Sequence, residues 1–248
     1  MKTRLAYAVL AGAYYMSWAW FAGVGVAVNL LCLPLLLAPG RARVGTAVRG
    51  MVRRLFQAWV WWFGWSRCLR ITWRGFDRPC ARQTIYIANH PTLLDATFLL
   101  ARLPDMICVI KPALMHSPAI GPVAFLAGYA AGETDVDLIR AVAGKVAEGR
   151  SLLVFPEGTR TKPGTTLGTL KPGYALIAER AHAAVQLIVI RASADLVPRG
   201  RPWWRPPSIL PAQAELTLDR RWEYDPARRT RDLTVEVERR LSEVLASS

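Results

Sequence analysis

Leu152-Leu153-Val154-Phe155 (LLVF) contains no polar side chain, and Pro156-Glu157-Gly158 breaks the chain directly after it. A short run that is apolar on both faces suits a strand buried from both sides, as in a helix-covered sheet. Working outward, β-like runs recur at 69–73, 84–88, 106–110, 185–190 and 215–218. Helix-like stretches lie between and beyond them, at 94–102, 117–127, 135–148, 172–182 and 228–245. This alternation predicts an α/β fold with a mixed, mainly parallel sheet covered by helices. There is no internal repeat. Residues 199–211 (RGRPWWRPPSILP) are too rich in proline for a strand or helix and are expected to form a loop at a membrane surface.

The chain before this pattern is of another kind. No charged residue occurs from Leu5 to Gly40. As one helix that run would measure about 54 Å, against a bilayer core of about 30 Å. It is therefore expected to be either a steeply tilted span with an interfacial extension or a re-entrant hairpin. Lys2 and Arg4 precede it, and Arg41, Arg43, Arg49, Arg53 and Arg54 follow. Positive flanks on both sides favour both ends being cytoplasmic, hence a hairpin or a shallow monotopic anchor; with a single span, the larger charge behind it still places the rest of the chain in the cytoplasm. A cleaved signal peptide fits less well, because the apolar run is too long. Residues 51–69 carry Trp59, Trp61, Trp62 and Trp65 beside Arg53, Arg54 and Arg67. They read equally as an interfacial helix and as a core helix. The expected division is a membrane anchor over 1–69 and an α/β domain over 70–248.

Composition narrows the function. The 248 residues hold 32 Lys+Arg against 18 Asp+Glu, a net charge of +14, with 52% apolar and 20% charged residues. That is too apolar for a disordered chain or a freely soluble nucleic-acid binder, and no nucleic-acid motif is present. Apolar content with excess positive charge suits a partner made of anionic lipid. Cys32, Cys68, Cys80 and Cys108 lack the spacing of a zinc site, and with only His90, His116 and His182 a histidine-rich metal centre is not expected.

Two motifs carry chemistry, each at the end of an expected strand. The first is Asn89-His90-Pro91-Thr92-Leu93-Leu94-Asp95. A histidine leaving a strand and an aspartate on the next helix can turn toward each other. The carboxylate then holds one ring nitrogen and leaves the other to take a proton. No serine or cysteine neighbours the pair, so the nucleophile would be the substrate's own hydroxyl. The second is Phe155-Pro156-Glu157-Gly158-Thr159-Arg160. Its turn permits close backbone approach, and its N–H groups with Thr159 and Arg160 could bind an anion. Glu157 could hold Arg160 or accept from an acceptor hydroxyl.

Together the motifs, 67 residues apart, resemble the glycerolipid acyltransferase superfamily, whose best-known members are the 1-acylglycerol-3-phosphate acyltransferases. The resemblance covers about residues 70–220. It implies a membrane-bound O-acyltransferase that moves a fatty acyl group from acyl-CoA or acyl carrier protein to a hydroxyl of a lyso-phospholipid-like acceptor. His90 would be the general base and Asp95 its orienter. Glu157, Gly158, Thr159 and Arg160 would line the acceptor-phosphate site, and Lys111, in Val109-Ile110-Lys111-Pro112, matches a lysine often found between the motifs. No metal or redox cofactor is implied, because a thioester is already activated. The chain looks closer to a bacterial branch, which implies the inner membrane with the catalytic domain on the cytoplasmic side.

Two stretches depart from the family pattern. Gly128-Tyr129-Ala130-Ala131-Gly132-Glu133-Thr134-Asp135 lacks the usual arginine, the next being Arg140, and 185–190 lacks the usual proline. Lysophosphatidic acid is therefore expected to be a poor acceptor. The alternative is a non-catalytic lipid-binding protein on the same fold.

Overall fold

In the computed structural model, which describes residues 2–38, 41–118, 120–132 and 136–247, fifteen helices and strands follow one another. They are α1 (Lys2–Leu37), α2 (Gly45–Trp65), β1 (Leu69–Arg74), β2 (Thr84–Ala88), α3 (Asp95–Arg102), β3 (Met106–Ile110), α4 (Pro112–Met115), α5 (Gly121–Leu126), β4 (Ala130–Ala131), α6 (Val136–Ala147), β5 (Ser151–Val154), α7 (Gly173–Ala181), β6 (Ala184–Ala192), β7 (Ala212–Trp222) and α8 (Thr230–Ala246). The chain forms two compact units. One comprises 1–70, 96–133 and 203–212, and the other 71–95, 134–202 and 213–248.

The first unit is built on α1. Of the tilted span and the hairpin that the sequence allows, the chain forms an uninterrupted helix over Lys2–Leu37. Arg4–Leu37 is long and apolar enough to cross a membrane, with a mean hydropathy of 2.1 in its most apolar stretch. Most of its surface is open, including Leu5, Val9, Met16, Leu30 and Leu31. The helix α2 packs antiparallel along it. The indole N–H of Trp62 donates to the Ala13 carbonyl at 3.3 Å and that of Trp59 to the Ser17 carbonyl at 3.0 Å, while Phe56 stacks on Phe21. The α2 tryptophans divide by helical phase: Trp59 is 1% exposed, whereas Trp61 and Trp65 are each 64% exposed. The core reading therefore holds for the face that carries Trp59, while the opposite face leaves two indoles exposed.

Cys32, Val48, Val52, Leu126 and Ala127 close the unit's core. Buried Arg49 crosses it, donating to Asp105 at 2.7 Å and to the Ala127 carbonyl at 2.8 Å. An apolar cavity of about 220 Å³, open on one side, lies between α1 and its neighbours, lined by Trp20, Phe21, Val28, Leu55, Phe56 and Val123.

The second unit holds the central strands. β2 is buried along its whole length and pairs in parallel with β5 on one side and β6 on the other. β6 then pairs antiparallel with β7. In the first unit β3 and β4 are parallel as well. The expected mixed, mainly parallel sheet is thus present, and helices pack on it with the expected period. Ile139, Val142, Ala143 and Val146 form the buried stripe of α6, and Leu233, Val237 and Leu241 that of α8.

Candidate active site

The site is assembled by strand register. Ile87 of β2 stands opposite Val154 of β5, an offset of 154 − 87 = 67 residues. Three residues past each partner lie His90 and Glu157, with the same offset, 157 − 90 = 67. The two motifs therefore leave parallel neighbours at matching heights. The His90 N–H donates to Glu157 Oε1 at 2.9 Å. The Thr161 N–H donates to the His90 carbonyl at 2.8 Å, and the Thr161 hydroxyl donates to the same Glu157 oxygen at 3.0 Å. Both backbone polar groups of His90 are thereby held by the 157–161 loop.

Asn89 secures the other side. Its side-chain amide donates to the Ile190 carbonyl at 2.8 Å, and its Oδ1 accepts from the Ile190 N–H at 2.7 Å. This side chain replaces a rung of the β2–β6 ladder where the backbone turns away, and it is buried.

Asp95, the first residue of α3, is fully buried. Its Oδ2 lies 2.8 Å from His90 Nδ1 and accepts the Thr92 N–H at 2.7 Å; its Oδ1 accepts the Thr92 hydroxyl at 2.6 Å. A carboxylate that takes donors on both oxygens presents an acceptor to the ring, so Nδ1 carries the proton and Nε2 is the basic nitrogen. The imidazole stacks on Phe155, with ring centres 4.1 Å apart, and its side chain keeps 18% exposure. The ring is thus fixed by one hydrogen bond to a carboxylate and one aromatic face, with an edge open.

The other expected site residues fall into place differently. Glu157 is buried, and its second oxygen accepts the Gly168 N–H at 2.9 Å. A Cβ on Gly168 would sit 2.6 Å from that oxygen, so only glycine allows the approach. Glu157 therefore holds the loop of His90 with three hydrogen bonds. Gly158 is exposed with φ +67° and turns the motif, and Thr159 is half-buried beside it. Arg160 donates to the Val197 and Pro198 carbonyls at 3.3 and 3.1 Å. Burial pushes its guanidinium below the ordinary arginine value, the Asp95 charge pulls it up, and nearby Arg199 pushes it down again. Lys171 lies with its ammonium 3.3 Å from the position of a Gly158 Cβ. Thus Lys171 and Arg199 join Arg160 in the second unit, and neither was marked by a motif.

Lys111 caps α4 in the first unit and is exposed. Arg140 is on the surface of α6, paired with Asp137 at 3.0 Å. Of the stretch that lacks the family arginine, Gly128–Gly132 is described, with β4 inside it, while Glu133, Thr134 and Asp135 lie outside the described residues.

With the geometry in hand, comparisons with known proteins agree on kinship. A family model described as Acyltransferase matches residues 70–192, which include both motifs. The 1-acyl-sn-glycerol-3-phosphate acyltransferase of Helicobacter pylori is 32% identical over 112 residues, covering 43% of this chain and 47% of the relative. The chloroplastic 1-acyl-sn-glycerol-3-phosphate acyltransferase BAT2 of Brassica napus is 30% identical over 129 residues, covering 50% and 36%. The chain spans about half the length, or less, of the curated relatives it matches. The crystal structure of the 1-acyl-sn-glycerophosphate (LPA) acyltransferase PlsC from Thermotoga maritima superposes with a TM-score of 0.72 at 19% identity, covering 100% of this chain and 97% of that one. That likeness establishes the fold. Over residues 70–192, with both motifs inside the match, the chain belongs to the Acyltransferase family.

Proposed function

We propose that this protein is a membrane-bound O-acyltransferase in which His90 is the general base. The observation that carries the reading is the Asp95 carboxylate, fully buried, saturated by Thr92 and aimed at His90 Nδ1. His90 Nε2 takes the proton of an acceptor hydroxyl as its oxygen attacks the thioester carbonyl. The tetrahedral intermediate then expels the thiolate, and the imidazolium returns the proton to sulfur. Asp95 stabilises the imidazolium between these two transfers. The donor is acyl-CoA or acyl carrier protein, and no cofactor enters the reaction. The apolar cavity of the first unit suits the acyl chain, and Lys111 is proposed as a further substrate contact on the family resemblance.

For the acceptor we propose a lyso-phospholipid that bears a phosphate. The relatives are named for 1-acyl-sn-glycerol-3-phosphate, and Arg160, Lys171 and Arg199 supply positive charge near the second motif. We propose that Lys171 and Arg199, together with Arg160, supply the charge that the arginine absent from 128–135 would give, which makes lysophosphatidic acid a candidate acceptor. Residues 1–69 act as the anchor and 70–248 carry the chemistry, at the cytoplasmic side of a bacterial inner membrane. The positive charge that follows α1 supports this orientation.

The test incubates full-length protein in vesicles with labelled acyl-CoA or acyl carrier protein and a panel of lyso-lipids. His90→Ala should lower transfer by about 10²–10⁴-fold. Undiminished transfer by a folded His90→Ala protein refutes the mechanism. No transfer by the wild type to any acceptor favours the lipid-binding alternative, and preference for an uncharged acceptor refutes the phosphate reading.

A further inference from the structure

An exposed apolar surface lies outside the catalytic motifs, on the loop 203–211. Trp203, Trp204 and Ile209 are 44%, 57% and 76% exposed. An isolated apolar side chain at the surface is ordinary, but three on one short loop with two indoles are not. The loop is tied to α1 within the same unit. The Tyr7 hydroxyl donates to the Pro207 carbonyl at 2.9 Å, the Tyr14 hydroxyl donates to the Trp203 carbonyl at 2.6 Å, and Trp18 packs on Trp203 with ring centres 5.1 Å apart. From Tyr7 to Trp18 the helix rises about 17 Å. The loop thus lies along the N-terminal half of α1, on the helix face opposite exposed Val9 and Met16.

The backbone of the loop suits that environment. Pro202, Pro206, Pro207 and Pro211 have no N–H to desolvate. Two loop carbonyls already accept from the tyrosines. An unpartnered peptide group would cost several kcal/mol in hydrocarbon, so proline and tyrosine lower the penalty of immersion at these positions. Charge complements this: Arg199 and Arg201 precede the loop, Arg205 lies within it beside Trp204, and the chain carries +14 overall. Indoles with arginines occupy the headgroup layer of anionic bilayers.

We propose that the loop 203–211 is a wedge that docks into the anionic leaflet beside α1 and forms a second membrane contact. The proposal rests on the membrane reading of α1. Its test uses full-length protein with single reporter cysteines, Ile209→Cys, Leu31→Cys or Val235→Cys, each in a Cys80→Ser background and carrying a fluorophore. Leu31 is exposed on α1 and Val235 on α8. Vesicles of phosphatidylcholine, with or without phosphatidylglycerol, carry spin-labelled lipid as quencher. The expected result is quenching at 209 several-fold above that at 235, and stronger with phosphatidylglycerol. Quenching at 31 but not at 209 overturns the wedge while sparing the anchor. No quenching at 31 overturns the membrane reading itself. Protection of 209 from both spin-labelled lipid and aqueous iodide assigns the loop to a protein contact, such as a second copy, and also overturns the wedge.

Discussion

Replacing Glu157 with glutamine separates a residue that touches substrate from one that places the base. The carboxylate accepts from the His90 N–H, the Thr161 hydroxyl and the Gly168 N–H, and it is buried. In Glu157→Gln the amide oxygen can keep the first two donors, but both bonds lose their ionic character, at about 1 kcal/mol each. The amide NH₂ then faces the Gly168 N–H, so one bond is lost and a buried donor is left unpaired, at about 1–3 kcal/mol. The total is about 3–5 kcal/mol. At roughly 2–4 °C per kcal/mol for a chain of this size, the melting temperature should fall by about 10 °C. His90 loses its backbone anchor, and a displacement near 1 Å at the reacting group costs on the order of 10²-fold in rate. Thermal melts and steady-state kinetics should therefore show lower Tm and lower kcat, with the acceptor KM little changed. Gly168→Ala should act the same way, since its Cβ would meet Glu157 Oε2 at 2.6 Å while leaving the carboxylate chemically intact. A raised acceptor KM with unchanged Tm and kcat in Glu157→Gln would refute the positioning argument and return Glu157 to the acceptor site.

Three further outcomes are expected. Asp95→Asn keeps the volume but removes the charge opposite the imidazolium, and should lower kcat by about 10³–10⁴-fold; near-normal turnover in a radiolabel assay would contradict this. Val28→Trp should fill part of the cavity beside α1 and lower kcat/KM for long-chain thioesters more than for short ones, read by a donor series; equal effects on all lengths would detach the cavity from the acyl chain. Asp219 accepts both nitrogens of Arg240, at 2.8 and 2.7 Å, and the hydrogen bonds to that guanidinium hold its carboxyl below the ordinary 3.8. A depressed folded-state value means stability that is present above that ordinary value and lost as pH falls through the folded value. Asp219→Asn should therefore melt lower at neutral pH, by about 1–2 kcal/mol given the partial exposure of Arg240. That difference should vanish in strong acid; a gap that persists there would rule out the ion pair as its source.

What could be read from the residues divides along physical lines. The strands 84–88 and 106–110 stand where their apolar runs place them. The expected helix 117–127 is shortened to α5, Gly121–Leu126, because Pro118 disfavours helix at the residue before it, and a separate short helix, α4, precedes it at Pro112–Met115. β7 runs from Ala212 to Trp222, well beyond 215–218, since its outward side chains are Gln, Glu, Asp and Arg, which dilute the apolar signal. β4 has two residues, too few for any periodicity. His182 ends α7 with φ +49° and stacks on Tyr224, in keeping with the helix end expected there. The pairing of His90 with Asp95 is local and was legible. The partners of Asn89, Glu157 and Lys171 depend on strand register and loop closure, which five-residue patterns do not encode. Asn89 stood inside the motif, but nothing in its neighbours announced Ile190.

The equal offsets of the two motifs have an evolutionary consequence. His90 and Glu157 meet because each lies three residues beyond a paired rung, so the length of chain between the strands does not enter. One residue inserted between Ile87 and His90, or between Val154 and Glu157, would turn the histidine or the glutamate to the wrong face. Residues inserted or removed at the turns among 111–135 would leave the meeting point untouched. Natural variation can therefore rebuild that intervening stretch without re-solving the chemistry. Lineages of this family are expected to differ there in length while keeping both short spacings, a pattern that deletion libraries scored for transfer would reproduce in the laboratory.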